Sequence, residues 1–288
     1  MSKNRLTTRR SFLKKGITGI LSMATLSALS LGYSFRGERF WYDVKRVNLT
    51  FNHLPPAFHG LRLVQFSDTH LGHYFGQQEL REVVEQIHSL QPDIICFTGD
   101  LADQGGVEEY EDSILTLSQL KAPFGKYAVL GNHDYRGNVS LLTSVLEAAQ
   151  FKVLVNRQHQ INKDDQSIRM VGVDDSLAGQ PDLEQAMNGV GDEDFIILLS
   201  HTPDFADECK NYPITLQLSG HSHGGQIRIP LFGSVITPPG AKKYINGLFP
   251  IADSNLLLYV NRGIGTTILP LRFACRPEIT LFTFHKEF

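Results

Sequence analysis

The chain has 288 residues, of which 42% are hydrophobic and 20% are charged, so it can build one large domain with a substantial core. Its formal net charge of −3 gives no general basic field, and we expect no specific nucleic-acid binding. The three cysteines are an odd number without C-x-x-C spacing, which excludes a disulfide framework from the expected architecture.

The N-terminal segment has the pattern of an export signal. Residues 8–14 match the twin-arginine consensus, with Arg9 and Arg10 as the pair, and an uncharged stretch covers residues 16–35. Since about 20 residues can span a bilayer, residues 1–35 are expected to be a cleaved signal peptide or a membrane anchor. The twin-arginine translocase is the expected partner, and the cell envelope or extracellular space is the expected location.

The first half of the remaining chain alternates strands with helices. Three strand–helix units in succession imply a parallel α/β core. We assign residues 41–288 to one domain, because no linker or repeat divides them. Apolar runs predict strands at 41–51, 61–66, 94–97 and 127–130, and helical spacing predicts helices at 80–90, 110–120 and 141–149.

The second half of the chain is richer in strands. The stretch 227–249 contains Gly and Pro between apolar residues, and it is expected to be a long structured loop or hairpin. The segment from Ile229 to Pro250 forms either a lipid-facing wall or a packed structural loop. Short strands are predicted at 151–155, around Ile161, and at 168–173, 195–199, 216–218, 256–260 and 279–284.

Five short polar segments follow directly on predicted strands. Asp100 lies 32 residues after Asp68, and Asn132 lies 32 residues after Asp100, which is one strand–helix–strand step each time. Because parallel strands end at the same edge of a sheet, we expect these side chains to converge. The segments are Asp68-Thr69-His70, Gly99-Asp100, Gly131-Asn132-His133-Asp134, His201 and Gly220-His221-Ser222-His223.

These carboxylate, amide and imidazole side chains fit a two-metal hydrolytic centre. Two divalent ions, two carboxylates and a bridging hydroxide leave a net charge of about +1, which suits an anionic phosphoester. Asp100 would be shared between two ligand sets. The first set is Asp68, His70, Asp100 and His223, and the second is Asp100, Asn132, His201 and His221.

A proton donor is predicted beside the metal ligands. His133 follows the ligand Asn132, so it is placed to stabilise the transition state and to protonate the leaving oxygen. Asp134 is the candidate to orient its ring.

Other charged residues have two interpretations each. Asp103 is either a further carboxylate of the site or a turn residue. Asp174 and Asp175 follow a predicted strand and are more typical of a turn or cap than of a site. Three arginines either contact phosphate or form structural ion pairs: Arg262, Arg272 and Arg276.

With all five segments present, the chain resembles the calcineurin-like metallophosphoesterase superfamily, and within it the YkuE and YaeI type of twin-arginine-exported bacterial phosphoesterases. The likeness covers residues 41–288 and includes residues 218–226 and 276–279. It implies a four-layer α/β/β/α sandwich, in which helices flank two central mixed sheets. It also implies two divalent ions of Mn, Zn or Fe and hydrolysis of phosphodiesters or phosphomonoesters by a metal-bridging hydroxide.

Two other functions stay open. Some members of the superfamily cleave the pyrophosphate of UDP-2,3-diacylglucosamine, so a lipid-linked or nucleotide-linked substrate at the membrane is one alternative. Such precursors are cytoplasmic, and an exported enzyme would meet them only from an anchor on the inner side. The other alternative is a metal-stabilised cell-wall-binding protein without catalysis, which would have no need of His133.

Overall fold

A computed structural model describes residues 9–103 and 107–287 of the protein. Residues 1–8, which begin the predicted export segment, and Phe288, which ends the predicted domain, lie outside the described residues.

The N-terminal segment forms a single helix, α1 (Arg9–Arg36), of 28 residues. At 1.5 Å per residue it is about 42 Å long, against a hydrocarbon core of about 30 Å. The helix is long and apolar enough to cross a membrane, a test that a signal sequence near the N-terminus also passes. Most of its side chains are exposed, and Ser34 near its end is buried.

The strand–helix alternation predicted for the first half of the chain is present. Each helix begins and ends within a few residues of the predicted positions. The elements are β1 (Asp43–Phe51), β2 (Arg62–Phe66), α2 (Gln77–Ser89), β3 (Ile94–Phe97), α3 (Val107–Ser118), β4 (Lys126–Ala128), α4 (Val139–Ala148) and β5 (Phe151–Val153).

The second half contains mainly strands, as predicted, together with two one-turn helices. Residues 227–249, expected to be a loop or hairpin, include a short hairpin and the start of a strand. The elements are β6 (Arg157–Lys163), β7 (Gln166–Gly172), α5 (Leu183–Ala186), β8 (Ile196–Leu199), α6 (Ala206–Cys209), β9 (Leu216–Ser219), β10 (Arg228–Ile229), β11 (Gly233–Ser234), β12 (Gly247–Pro250), β13 (Leu257–Val260) and β14 (Glu278–Lys286).

These strands form two six-stranded sheets. The first has the order β1-β14-β2-β3-β4-β5, the second has the order β12-β13-β9-β8-β7-β6, and β10 pairs only with β11. The run from β2 to β5 is parallel, as the strand–helix units predicted. However, β14 is antiparallel to β2, and β6 and β12 are antiparallel to their neighbours. The mixed sheets implied by the family resemblance are therefore confirmed, whereas the strand–helix units alone predicted only the parallel part of the core.

Three apolar clusters separate four layers. One cluster lies between α2–α4 and the first sheet, one between the two sheets, and one between the second sheet and the segments around α5 and α6. In β8, Ile197 and Leu199 belong to the cluster between the sheets, whereas Ile196 and Leu198 belong to the outer cluster. A strand buried on both faces is a continuous apolar run, which is why β8 shows no alternation in the sequence.

Candidate metal centre

The predicted metal ligands all lie in loops directly after strands. They follow three strands of the first sheet and two of the second, and they lie close together. All seven side chains are buried. Asp68 and His70 follow β2, Asp100 follows β3, Asn132 follows β4, His201 follows β8, and His221 and His223 follow β9.

The backbone at these positions is unusually strained. Five of the seven residues have φ between 48° and 66°, in the left-handed region that non-glycine residues rarely adopt. Each such conformation costs about 1–2 kcal/mol, so the surrounding contacts must enforce it. The five are Asp68, His70, Asp100, His221 and His223.

Two glycines allow the loops to approach this closely. A Cβ on Gly131 would lie 2.3 Å from Oδ1 of Asp100, and one on Gly220 would lie 2.3 Å from Oδ2 of Asp68. Neither position could hold a larger residue without displacing a carboxylate of the site. Steric crowding therefore explains why glycine occupies these two positions in the polar segments.

The candidate ligand atoms form three overlapping groups, which are Asp68–His70–His223, His70–Asp100–His133 and Asp100–His201–His221. Nε2 of His70, which belongs to the first two groups, lies 3.0 Å from Nε2 of His223 and 3.6 Å from Oδ2 of Asp100. Oδ1 of Asp68 lies 3.5 Å from Nε2 of His223.

In the third group, Nε2 of His201 lies 3.2 Å from Oδ2 of Asp100 and 3.2 Å from Nδ1 of His221. The first and third groups consist of histidines and aspartates from the two ligand sets predicted from the sequence. The group between them contains His70 and Asp100 and also His133.

The residues present fit a divalent transition metal. The side-chain oxygen Oδ1 of Asn132 is buried without a hydrogen-bond partner among the described residues. A buried acceptor of this kind is costly unless it is paired, and a cation would satisfy it. Imidazole nitrogens together with carboxylate and amide oxygens suit Mn, Zn or Fe.

The electrostatics of the metal-free site favour different protonation states at different candidate ligands. Burial lowers the pKa of His70 to about 3 and that of His221 to about 4. Both imidazoles are therefore neutral at pH 7, which is the form that ligates metals. Burial alone would raise the pKa of Asp100, but the charge and hydrogen bond of His201 hold it well below its usual value. Asp100 is therefore an anion, and against the effect of burial it holds the pKa of the His201 imidazole well above its usual value in the metal-free site.

The carboxylate that contacts the His133 ring is that of Asp103. Nδ1 of His133 lies 2.6 Å from Oδ1 of Asp103, and Nδ1 of His73 lies 3.6 Å from Oδ2 of the same carboxylate. The His133 ring stands edge-on to the His70 ring, with centroids 4.7 Å apart. The sequence left Asp103 as either a further carboxylate of the site or a turn residue. Its contact with His133 supports the first interpretation.

The predicted contact between Asp134 and the ring of His133 is wrong. The Asp134 carboxylate is fully buried and accepts hydrogen bonds from the backbone N–H groups of Asp100 (3.0 Å), Leu101 (2.9 Å) and Gly131 (2.8 Å). A short 3-10 helix, Asp134–Arg136, begins here, and its start turns the side chain toward these otherwise unpaired donors. Asp134 therefore joins the loop after β3 to the loop after β4.

The three arginines make structural contacts. Arg262 pairs with Glu278 and with Asp43, and Arg276 lies 3.9 Å from Asp43. Arg272 is fully buried and donates to backbone carbonyl oxygens, including that of Gly265.

One of these arginines also approaches the site. Nη2 of Arg272 lies 3.5 Å from Nδ1 of His223. No spacing or pattern in the sequence indicated this neighbour of a predicted ligand.

The carboxylates of Asp174 and Asp175 accept backbone N–H groups of the following turn, as the sequence suggested. The Asp174 carboxylate also accepts the hydroxyl of Tyr135.

Together, the four-layer fold and the buried His/Asp groups at its strand ends are those of a metallophosphoesterase. A profile of the calcineurin-like phosphoesterase family matches residues 61–225, and the chain belongs to this family. The family resemblance that the sequence motifs indicated is therefore confirmed.

Three relatives show the range of proteins that the chain resembles. It is 40% identical over 279 residues to the metallophosphoesterase YkuE of Bacillus subtilis, covering 96% of each chain. It is 32% identical to the UDP-2,3-diacylglucosamine pyrophosphatase LpxG of Chlamydia trachomatis, covering 94% of this chain and 98% of that protein. It is 33% identical to a transmembrane protein with metallophosphoesterase domain of Danio rerio, covering 81% of this chain and 55% of that protein.

Proposed function

We propose that the protein is a two-metal phosphoesterase that hydrolyses phosphodiesters or phosphomonoesters at the cell envelope. The observation that carries this proposal is the set of overlapping His/Asp groups, two of which contain Asp100. Asp68, His70 and His223 would hold one ion together with Asp100, and Asn132, His201 and His221 would hold the other. Bound divalent ions supply Lewis acidity and lower the pKa of water to roughly 7.

His133 is the proposed general acid. Its side chain is 11% exposed, and the site's other imidazoles at positions 70, 201, 221 and 223 are more deeply buried. Because Asp103 occupies Nδ1, Nε2 is the ring atom available to give a proton to the leaving oxygen. Asp103 stabilises the imidazolium before this transfer and keeps the ring in one orientation. The separate roles of His133 as proton donor and Asp103 as its partner support a catalytic site over a purely structural metal site.

The envelope location rests on the N-terminal segment. An exposed apolar helix of 28 residues is stable in a bilayer and unfavourable in water. The paired Arg9 and Arg10 support export by the twin-arginine route, after which α1 is either removed or kept as an anchor. Mass spectrometry of the mature protein tests this, because removal of residues 1–30 would exclude anchoring by the full helix.

A second candidate substrate is a lipid-linked nucleotide pyrophosphate. It is supported by the identity of 32% to the relative named as a UDP-2,3-diacylglucosamine pyrophosphatase. The same site could serve both reactions, since each is attack on phosphorus with departure of an oxygen.

The test of the proposed function uses the full chain purified in detergent and loaded with Mn or Zn. We expect hydrolysis of bis-p-nitrophenyl phosphate or p-nitrophenyl phosphate, and we expect Asp100→Asn to abolish it. Asp165→Asn, an exposed carboxylate on the loop between β6 and β7, is the matched control and should keep full turnover. A folded, metal-loaded protein that cleaves neither these esters nor a lipid-linked pyrophosphate would refute the proposal.

A further inference from the structure

Outside α1, large exposed apolar side chains concentrate in two segments near the C-terminal half of the domain. The tip of the β10–β11 hairpin presents Leu231, which is fully exposed, and Phe232, which is 86% exposed. A second loop presents Ile268, which is 82% exposed. A soluble surface rarely carries so many exposed apolar residues together without a partner. We call this surface the apolar rim, and it comprises Ile229, Leu231, Phe232, Ile236, Ile268 and Leu269.

The two segments of the apolar rim are held together. The Gln226 side chain donates to the carbonyl oxygens of Thr267 and Leu269, both at 3.0 Å, and accepts the N–H of Thr267 at 2.8 Å. The N–H of Arg228, the first residue of β10, donates to the carbonyl oxygen of Phe273. The hairpin and the loop are therefore parts of one surface.

The C-terminal end of α1 meets the same loop. The N–H of Arg272 donates to the carbonyl oxygen of Ser34 at 3.2 Å, and the guanidinium of Arg39 donates to that of Pro270 at 3.2 Å. The buried carboxylate of Glu38 accepts the N–H of Ala274 at 3.0 Å. The apolar helix thus leaves the domain beside the apolar rim, and only residues 37–42 separate it from β1.

Aromatic side chains mark this junction. Trp41 is 56% exposed with the Arg276 guanidinium 4.1 Å from its ring centroid, and Tyr33 near the end of α1 is 44% exposed. Exposed Trp and Tyr beside the end of an apolar helix are typical of the boundary between lipid and water.

The apolar rim also borders the candidate metal centre. The hairpin begins five residues after His223, and a Cβ on Gly225 would lie 2.1 Å from the Cβ of Ser234 in β11. Nε2 of His221 lies 2.7 Å from the carbonyl oxygen of Pro239, shortly after the hairpin. The segment that carries the exposed apolar residues therefore also contacts a candidate ligand.

We propose that the apolar rim inserts into the same lipid bilayer that α1 enters, so that the domain lies on the membrane with its metal centre close to the headgroups. The occupant is a bilayer because the rim is continuous with the emergence point of a helix of membrane-spanning length. Insertion of a few large apolar side chains beside a fixed anchor removes their exposed area from water without a further binding partner. The proposal rests on the proposed membrane location with α1 kept as an anchor, and it does not depend on the reaction that the site catalyses.

The experiment measures the depth of Leu231 in a bilayer. The full chain carrying Leu231→Cys is labelled with bimane and reconstituted in phosphatidylcholine–phosphatidylglycerol nanodiscs that contain doxyl-labelled lipid. The native cysteines Cys96, Cys209 and Cys275 are buried, which keeps labelling at the introduced thiol. Leu115→Cys is the matched control, because Leu115 is 70% exposed on α3 outside the rim.

We expect lipid nitroxides to quench the label at position 231 at least severalfold more than the label at position 115. Equal quenching at the two positions would overturn the proposal. Disulfide cross-linking of unlabelled Leu231→Cys between two chains, without lipid quenching, would also overturn it, since the rim would then be an interface between copies.

A second variant separates docking from catalysis. Leu231→Asp combined with Phe232→Asp should keep the fold, because both side chains are exposed and Leu231 has a φ of 71° that Asp tolerates better than Leu. Turnover of soluble bis-p-nitrophenyl phosphate should be unchanged, whereas turnover of a phosphodiester lipid in vesicles should fall at least about tenfold. Equal turnover of the vesicle substrate would contradict the proposal. If the wild-type protein cleaves no ester, the proposed function fails, while the quenching result still decides docking.

Discussion

The imidazole of His133 and the carboxylate of Asp103 are joined through a contact of 2.6 Å between Nδ1 and Oδ1, although they lie in loops after different strands. The backbone N–H of His133 also donates to Oδ1 of Asp100 at 2.8 Å. These two contacts place the proposed general acid beside the shared carboxylate of the metal centre. Because Asp103 contacts the ring of His133 and Asp100 contacts its backbone, the roles of the two aspartates can be tested separately.

The first prediction concerns Asp103 as the positioning residue of His133. Asp103→Asn should lower kcat by about 10- to 100-fold with little change in KM, because Asp103 stabilises the charged imidazole and does not hold substrate. A kcat within a factor of two of wild type would show that the contact has no catalytic role.

A second prediction follows from the role of His133 as proton donor. His133→Ala should slow esters with poor leaving groups by about 10²- to 10⁴-fold, because a strongly basic leaving oxygen requires a proton. The same substitution should slow the hydrolysis of p-nitrophenol esters much less. His159→Ala, outside the site, is the control for the substitution itself. An equal loss of rate on both types of ester would mean that His133 does not protonate the leaving oxygen.

Gly131 provides a steric test of the site. In Gly131→Ala the new Cβ would lie 2.3 Å from Oδ1 of Asp100, so we expect loss of bound metal and of turnover. Gly137→Ala is a close control in the following loop, where the nearest atom lies 4.0 Å away. Metal analysis of both purified proteins makes the comparison, and a Gly131→Ala protein with a full complement of metal would contradict the described geometry.

A fourth prediction concerns stability far from the site. Nζ of Lys126 donates to the carbonyl oxygens of Ala149 (2.6 Å) and Leu117 (3.3 Å), and burial lowers its pKa from 10.5 to about 8. Between these values the unfolded chain binds more protons than the folded one, so this residue adds stability as the pH rises, by at most about 1.4 kcal/mol per unit. The contribution is lost as the pH falls through 8.

Urea unfolding of the metal-free protein at pH 7.5 and pH 10 measures this effect. The unfolding free energy of the wild type minus that of Lys126→Met should be more positive at pH 10 than at pH 7.5. Lys121→Met removes an exposed lysine and should show no such trend. A difference that is independent of pH would mean that Lys126 titrates normally.

The sequence was sufficient to predict that these side chains converge, because their positions obey a local rule. Each ligand follows an apolar run, and the ends of parallel strands meet regardless of the intervening loops. The spacing is 32 residues from Asp68 to Asp100 and again from Asp100 to Asn132, one strand–helix–strand step each time, which accounts for the agreement in α2 and α3.

The direction of side chains and the position of β14 in the sheet could not be predicted from the sequence pattern. Asp134 is adjacent to His133 in the chain, but a 3-10 turn directs its carboxylate to backbone donors, and Asp103 from another loop contacts the ring. Likewise, β14 comes from the C-terminus and enters between β1 and β2, a pairing set by long-range burial. The family resemblance supplied the second sheet that local periodicity did not.

The most direct test of the central claim is turnover of bis-p-nitrophenyl phosphate as Mn or Zn is titrated into the metal-free protein, with bound metal measured at each point. Two ions held by ligand groups that share Asp100 predict that activity rises to its plateau only as occupancy approaches two ions per chain. Full activity with one ion per chain, or none with two ions bound, would contradict the assignment of a two-metal phosphoesterase.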